Sequence, residues 1–192
     1  MSVSLAKGGN VSLSKATDNL TTITVGLGWD ERTTTGAPYD LDASALITGP
    51  SYKVLSDKHF VFYGNLSSPD GLVEHTGDNL TGDGDGDDES IHVDLAALPL
   101  TVTNIFFAVS IYDADVRGQS FGHVRNAYIR IIDRVTGVEL ARYDLTEDAS
   151  TETAMIFGEV YRHNAEWKFR AVGQGYASGL RGIALDYGVN VA

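Results

Sequence analysis

The most restrictive feature of this chain is a rhythm: short runs of β-branched and aromatic residues, each closed off by Gly, Asn, Asp or Ser. The clearest are 20–28 (LTTITVGLG), 43–48 (ASALIT), 59–64 (HFVFYG), 91–95 (IHVDL) and 104–112 (NIFFAVSIY). Later come 124–133 (VRNAYIRIID), 138–145 (VELARYDL), 154–163 (AMIFGEVYRH) and 167–173 (WKFRAVG). Several alternate with period two; Val138 and Leu140 share one face while Glu139 and Arg142 fall outside that set. Short strands separated by turn residues predict an all-β sandwich or barrel. Thr136-Gly137 and Asn164-Ala165-Glu166 read as hairpin connections. Helical signals are confined to 94–98 (DLAAL), where Asp94 is placed as an N-cap, and a turn at 150–153. No linker or internal repeat divides the 192 residues, so one domain spanning 1–192 with a single core is expected.

Composition removes whole classes of chemistry. The chain has no cysteine, which excludes disulfides, zinc–thiolate and iron–sulfur centres and a cysteine nucleophile. No apolar run approaches the ~20 residues that cross a bilayer, so an integral membrane protein is not expected. The first ten residues, MSVSLAKGGN, lack the apolar stretch of a secretory signal, and the expected location is the cytoplasm.

The net charge is −12, and it is concentrated. Residues 59–116 contain no Lys or Arg and hold 11 of the 26 acidic residues, while the rest of the chain carries 15 acids against 14 bases. Such a surface repels nucleic-acid phosphates and anionic lipid and attracts cations. Its centre is the segment 77–89 (GDNLTGDGDGDDE), which packs six carboxylates and an Asn between Asp78 and Glu89. Gly82, Gly84 and Gly86 alternate with acids there, so the backbone can turn sharply and present carbonyls. Calcium takes six to eight oxygen ligands at about 2.3–2.6 Å, mixing carboxylates, amides and carbonyls, and this segment offers that inventory.

Competing readings differ in what they require. Asp83, Asp85 and Asp87 open like an EF-hand, but Asp88 stands where that loop needs Gly and Asp94 where it needs Glu. The Gly82–Asp85 run echoes the calcium nonapeptide repeat once only. A solvated acidic loop without an ion needs nothing further. Asp40 and Asp42, at alternate positions leading into 43–48, form a second acidic pair that points one way on an extended chain; taken alone, ordinary turn chemistry before a strand is the better account of them. Asp30, after Trp29, and Asp70, within the turn sequence Pro69-Asp70-Gly71, are weaker candidates.

At this point a family resemblance becomes plain. The chain resembles the TerD-type tellurium-resistance family along nearly its whole length. The carrying blocks begin with Ser4-Leu5, Lys7-Gly8-Gly9-Asn10, Gly26-Leu27-Gly28-Trp29-Asp30 and Asp40-Leu41-Asp42-Ala43-Ser44. They continue through Ser67-Ser68-Pro69-Asp70-Gly71, His75, Gly77-Asp78-Asn79-Leu80-Thr81-Gly82 and Gly86-Asp87-Asp88-Glu89. Downstream stand Phe107-Ala108-Val109-Ser110-Ile111-Tyr112, Arg117-Gly118-Gln119-Ser120-Phe121-Gly122, Val124 to Arg130, Gly158-Glu159-Val160-Tyr161-Arg162 and Gly175 to Leu180. The resemblance implies a β-sandwich of two mainly antiparallel sheets with minor short helices, in a bacterial cytoplasmic protein of tellurite resistance and stress response that is not an enzyme. It also implies calcium, two ions, held by Asp78, Asn79, Asp87, Asp88 and Glu89 together with Asp40, Asp42 and Asp30. Asp83 and Asp85 fall where the motif is open, so their backbone carbonyls are expected to matter more than their side chains. Other tellurite-resistance proteins are the expected partners.

Two further readings stay open. Five histidines, His75 near the acidic segment among them, stand beside abundant carboxylates, which suits a metal-dependent hydrolase. Yet there is no His-x-x-x-His, no Gly-x-Ser-x-Gly and no phosphate loop. A structural interaction module without a required metal is the other, with Arg117 and Gln119 of the Gly-flanked RGQSFG segment as partner contacts and Phe121 as contact or core anchor. Direct chemistry on tellurite is not expected: thiols are absent, and an acidic surface repels an oxyanion.

Overall fold

In the computed structural model, residues 2–30, 35–77, 86–145 and 151–191 are described. In chain order the strands are β1 (Val3–Ser4), β2 (Asn10–Ser12), β3 (Thr22–Gly28), β4 (Leu41–Thr48), β5 (Phe60–Val61) and β6 (Val73–His75). They continue as β7 (Glu89–Asp94), β8 (Asn104–Ile111), β9 (Tyr128–Asp133), β10 (Glu139–Asp144), β11 (Ala154–His163) and β12 (Glu166–Tyr176). Among the described residues three short α-helices join them: α1 (Leu13–Ala16), α2 (Ala114–Arg117) and α3 (Gly179–Asp186).

The strands form two sheets, ordered β1-β10-β9-β3-β7-β6 and β2-β12-β11-β8-β4-β5. Neighbours pair antiparallel except for β1 on β10. This is the expected all-β sandwich. Its main core lies between the sheets, where period-two positions meet: Ile23, Val25 and Leu27 of β3, Ile91 and Val93 of β7, and Ile129 and Ile131 of β9 face Ala43 and Ile47 of β4, Phe107 and Val109 of β8, and Phe157 of β11. Burying each large apolar side chain contributes about 1.5–3 kcal/mol, against about 0–1 kcal/mol for an exposed ion pair, so interlayer packing dominates.

A second, smaller cluster sits on the outer side of the second sheet. Leu46, Phe60, Phe106, Ala108 and Ile156 pack there against Ile183 and Ala184 of α3 and against Val189. Helix α3 therefore covers one sheet face, which is why β4 and β8 are buried at every position. The expected hairpins at Thr136-Gly137 and Asn164 are present, with Gly137 and Asn164 both at positive φ (72° and 57°). Three expectations shift. The run 124–133 is strand only from Tyr128, because Asn126 turns at φ 52°. Residues 94–98 make a turn rather than helix, closed by the Ala97 N–H donating to Asp94 Oδ1 at 3.1 Å. A bulge between Glu139 and Ala141 breaks the alternation, leaving Val138 exposed while Leu140 is buried.

Candidate functional site

The acidic segment lies in sequence between β6 and β7, which pair antiparallel at Val73–Val93, Glu74–His92 and His75–Ile91. The pairing extends one step further, where the Thr76 N–H donates to the Ser90 carbonyl at 3.0 Å. Of the residues expected to hold calcium, Asp78, Asn79, Asp83 and Asp85 lie outside the described residues. Asp30, Asp40, Asp42, Asp87, Asp88 and Glu89 are described, and each has a distinct setting.

Asp88 is anchored to β3 from both sides. Its N–H donates to the Leu27 carbonyl at 2.8 Å, and its Oδ2 accepts from the Trp29 N–H at 2.9 Å. Partial burial pushes its carboxyl above the ordinary carboxylate value; the charges of Asp87 and Asp30 push the same way, and the Trp29 bond opposes them. Three carboxylates thus act on one another at this corner. Asp30 accepts from the Asn126 side chain at 2.6 Å and donates its N–H to the Arg125 carbonyl at 3.0 Å.

Asp87 lies across the outer face of the first sheet. Its Oδ1 takes the Arg130 Nε–H at 2.8 Å and the Tyr128 hydroxyl at 3.1 Å. Two glycines make room: a Cβ on Gly26 would stand 2.1 Å from Asp87 Oδ2, and one on Gly28 would stand 2.4 Å from the Tyr128 ring. Burial and the neighbouring Asp87 charge push the Tyr128 hydroxyl up to about 12, so it stays a donor. A metal at this carboxylate would compete with Arg130.

Asp40 and Asp42 are both buried at the head of β4. Asp42 shares the register of Ser44 and Leu46, opposite to the core-facing Ala43 and Ala45. Asp40 Oδ2 stands 3.8 Å from Arg117 Nη1, and its carbonyl accepts from the Tyr112 N–H at 2.8 Å. The buried Trp29 indole N–H donates to the Tyr39 carbonyl at 3.2 Å, tying this segment to the end of β3. Arg117 also stacks on Tyr112, 5.4 Å from the ring centroid. Gln119 does not present itself to a partner. It is buried, and its side-chain N–H groups hold the Ala37 and Pro38 carbonyls at 2.9 and 3.1 Å. Phe121 is a core anchor, 3% exposed.

Glu89 begins β7 in the register of Ile91 and Val93, so its side chain points inward between the sheets. Its Oε2 crosses to the second sheet and accepts the Ala43 N–H. His75, also buried, places Nε2 3.4 Å from the same oxygen, while its Nδ1 accepts the Gly77 N–H at 3.1 Å. That pairing was not anticipated, although the phase of IHVDL extended back two residues points to it. Asp70 is spent locally. Its Oδ1 accepts from the Ser68 hydroxyl and the Leu72 N–H, and these bonds outweigh burial and hold it below the ordinary carboxylate range.

Among the described residues, no group of three or more His, Asp or Glu stands in a metal-holding arrangement. A separate open cleft of about 640 Å³ lies on the outer face of the second sheet, lined by Tyr52, Phe106, Tyr176 and Tyr187. Its buried Glu159 is already paired with Arg170 and Asn104, and the cleft includes none of the acidic residues above. Among the described residues no helix is long and apolar enough to cross a membrane.

The TerD domain family matches residues 1–187. The chain is 60% identical over 192 residues to the tellurium resistance protein TerD of Serratia marcescens, covering the whole of both. It is 50% identical, again over the full length of both, to general stress protein 16U of Bacillus subtilis. Among solved structures, a TerD homologue from Streptomyces coelicolor superposes with a TM-score of 0.71 at 24% identity, over 86% of this chain and 96% of that one. The chain belongs to the TerD family of tellurium-resistance and stress-response proteins.

Proposed function

We propose that this protein is a calcium-binding, non-enzymatic member of its stress-response family, whose ion orders an acidic rim that another protein recognises in the cytoplasm. One observation carries the calcium reading: Asp30, Asp87 and Asp88 meet at one corner, where burial and the two neighbouring charges raise the Asp88 carboxyl although the Trp29 N–H donates to it. Protein interiors answer a carboxylate with hydrogen bonds or with a cation, and a hard divalent ion suits an all-oxygen donor set. The residues in place would hold it through Asp88 and Asp30, with Asp40 and Asp42 from β4 and Asp87 if Arg130 releases it. The family resemblance adds Asp78, Asn79 and Glu89 for two ions, and the backbone carbonyls of Asp83 and Asp85 are expected beside them. Calcium supplies charge neutralisation there; the chain supplies anchored strand ends.

Thermal melts in EDTA, calcium or magnesium, with the Asp87→Asn/Asp88→Asn variant alongside, test this. Calcium-specific stabilisation that the variant lacks supports the site. Equal melts in all three solutions overturn it and leave a solvated acidic face.

For partner recognition, the supporting feature is an exposed aromatic pair beside Asp40. Tyr63 and Tyr112 are 43% and 42% exposed, with centroids 6.3 Å apart and Arg117 against the latter. Aromatic and Arg side chains are the usual anchors of protein interfaces, and other tellurite-resistance proteins are the natural candidates. Alanine at Arg117 and Tyr112 should abolish capture of such a partner without altering the melt; unchanged capture removes this surface.

A further inference from the structure

We infer that Glu89 and His75 form a tie between the two sheets, and that Glu89 is a positioning residue for the acidic rim rather than a calcium ligand. The tie rests on geometry alone; its consequence for calcium rests on the reading above.

Consider first what Glu89 Oε2 already does. It accepts the Ala43 N–H from the opposite sheet and faces His75 Nε2 at 3.4 Å. Strand β5 pairs with β4 only at Ala45 and Leu46, so beyond it a side chain from β7 takes the place of a strand partner. Both Glu89 and His75 side chains are fully buried. A buried carboxylate without partners is strongly unfavourable, whereas one that accepts N–H bonds is stabilised.

The imidazole tautomer follows from its other nitrogen. His75 Nδ1 accepts the Gly77 N–H, so the ring proton sits on Nε2. Among the described residues that Nε2 makes no hydrogen bond, and Glu89 Oε2 stands 3.4 Å from it. A cation at Oε2 would compete with the Ala43 N–H that already donates to it and would approach an imidazole nitrogen bearing a proton, which is the wrong polarity for a ligand oxygen.

The placement explains why such a tie matters. Ala43 follows Asp42 by one residue, and Glu89 follows Asp88 by one. The carboxylates of β4 and those that precede β7 belong to different sheets, and the Ala43–Glu89–His75 chain fixes one set against the other. Gly77, held by Nδ1, opens the acidic segment, so one imidazole touches both of its flanks.

The test combines calcium titration calorimetry of the full chain with amide hydrogen exchange in EDTA, on wild type, Glu89→Gln, Glu89→Ala, His75→Ala and Asp88→Asn. A Gln oxygen can still accept the Ala43 N–H, so Glu89→Gln should keep Ala43 protected and keep the wild-type calcium stoichiometry. Glu89→Ala should speed Ala43 exchange, and His75→Ala that of Gly77, by at least about ten-fold. Both should weaken calcium without changing its stoichiometry. Loss of a calcium equivalent in Glu89→Gln, as in Asp88→Asn, would make Glu89 a ligand and overturn the assignment. Unchanged Ala43 exchange in Glu89→Ala would remove the tie. If wild type binds no calcium, the calcium reading fails while the exchange data still decide the tie. Should Glu89→Ala not fold, Glu89→Gln stoichiometry and His75→Ala exchange decide it.

Discussion

Two aspartates at opposite ends of the first sheet show how differently one fold treats a carboxylate. Asp133 closes β9 and pairs across to Ile23 at one end of β3, while Asp88 hangs on Leu27 and Trp29 at the other. Asp133 is the more buried, yet it accepts from the Thr136 hydroxyl at 2.8 Å, the Val135 N–H at 2.9 Å and the Thr17 hydroxyl at 3.2 Å. Burial alone would raise it; these donors outweigh burial and hold it below the ordinary carboxylate range. Asp88 accepts from the Trp29 N–H beside two negative neighbours, and its carboxyl moves the other way. One end of the sheet answers its acid with protein donors. The other gathers three carboxylates, the setting for which calcium is proposed.

Removing the satisfied carboxylate should have the largest effect. Asp133→Ala removes a buried carboxylate that accepts three hydrogen bonds and should destabilise the protein by about 3 kcal/mol, lowering the melting temperature by roughly 6–12 °C. Because its folded value is depressed, Asp133 contributes stability that is present above the ordinary value of 3.8 and lost as pH falls through the folded value. The variant's melting temperature should accordingly flatten on the acid side; a wild-type-like acid limb would contradict the assignment.

At the opposite end, the effect should come from calcium instead. Ion at a hundred times its dissociation constant adds roughly 2.7 kcal/mol, and Asp88→Asn should forfeit most of that gain while still folding in EDTA. A full calcium response in the variant would remove Asp88 from the site and end the contrast between the two aspartates.

How much of this contrast was legible in the sequence depends on scale. The alternation within 20–28 marked β3, and the near-continuous apolar runs at the heart of 104–112 and 154–163 marked β8 and β11, which are buried on both faces over most of their length. Strands β1, β2 and β6 escaped, being two or three residues long and made largely by pairing with neighbours. Helix α3 escaped because Gly179 and Gly182 weaken its propensity and only the face presented by Phe106 and Leu46 secures it. The acidic segment was conspicuous, since charge density is a local property. The tie between Glu89 and Ala43 was not, because it joins residues 46 positions apart on different sheets. Gln119 was misplaced on the surface for the same reason: its amide answers Ala37 and Pro38, some 80 positions away.

A smaller effect should separate steric from electrostatic control at the acidic end. Gly26→Ala sets a Cβ against Asp87, which must leave Arg130 and Tyr128. A loss of about 1–2 kcal/mol is expected. The Tyr128 hydroxyl, no longer beside that charge, should titrate below about 12, as read by alkaline NMR titration. An unmoved Tyr128 would mean that Asp87 contributes nothing to its environment.

The smallest effect is the most discriminating. The Asp88 carboxyl is raised in the folded state, so without calcium its ionisation costs stability: the cost is absent below 3.8 and complete once pH passes the folded value. Asparagine at this position keeps an oxygen for the Trp29 N–H and removes the charge beside Asp87 and Asp30. In EDTA near neutral pH, Asp88→Asn should therefore melt slightly above wild type, and the two curves should converge as pH falls below 3.8. The sign is opposite to that of Asp133→Ala. A variant that melts below wild type in EDTA would show that the Asp88 charge is already satisfied within the protein, like that of Asp133, and that this corner has no need of a cation.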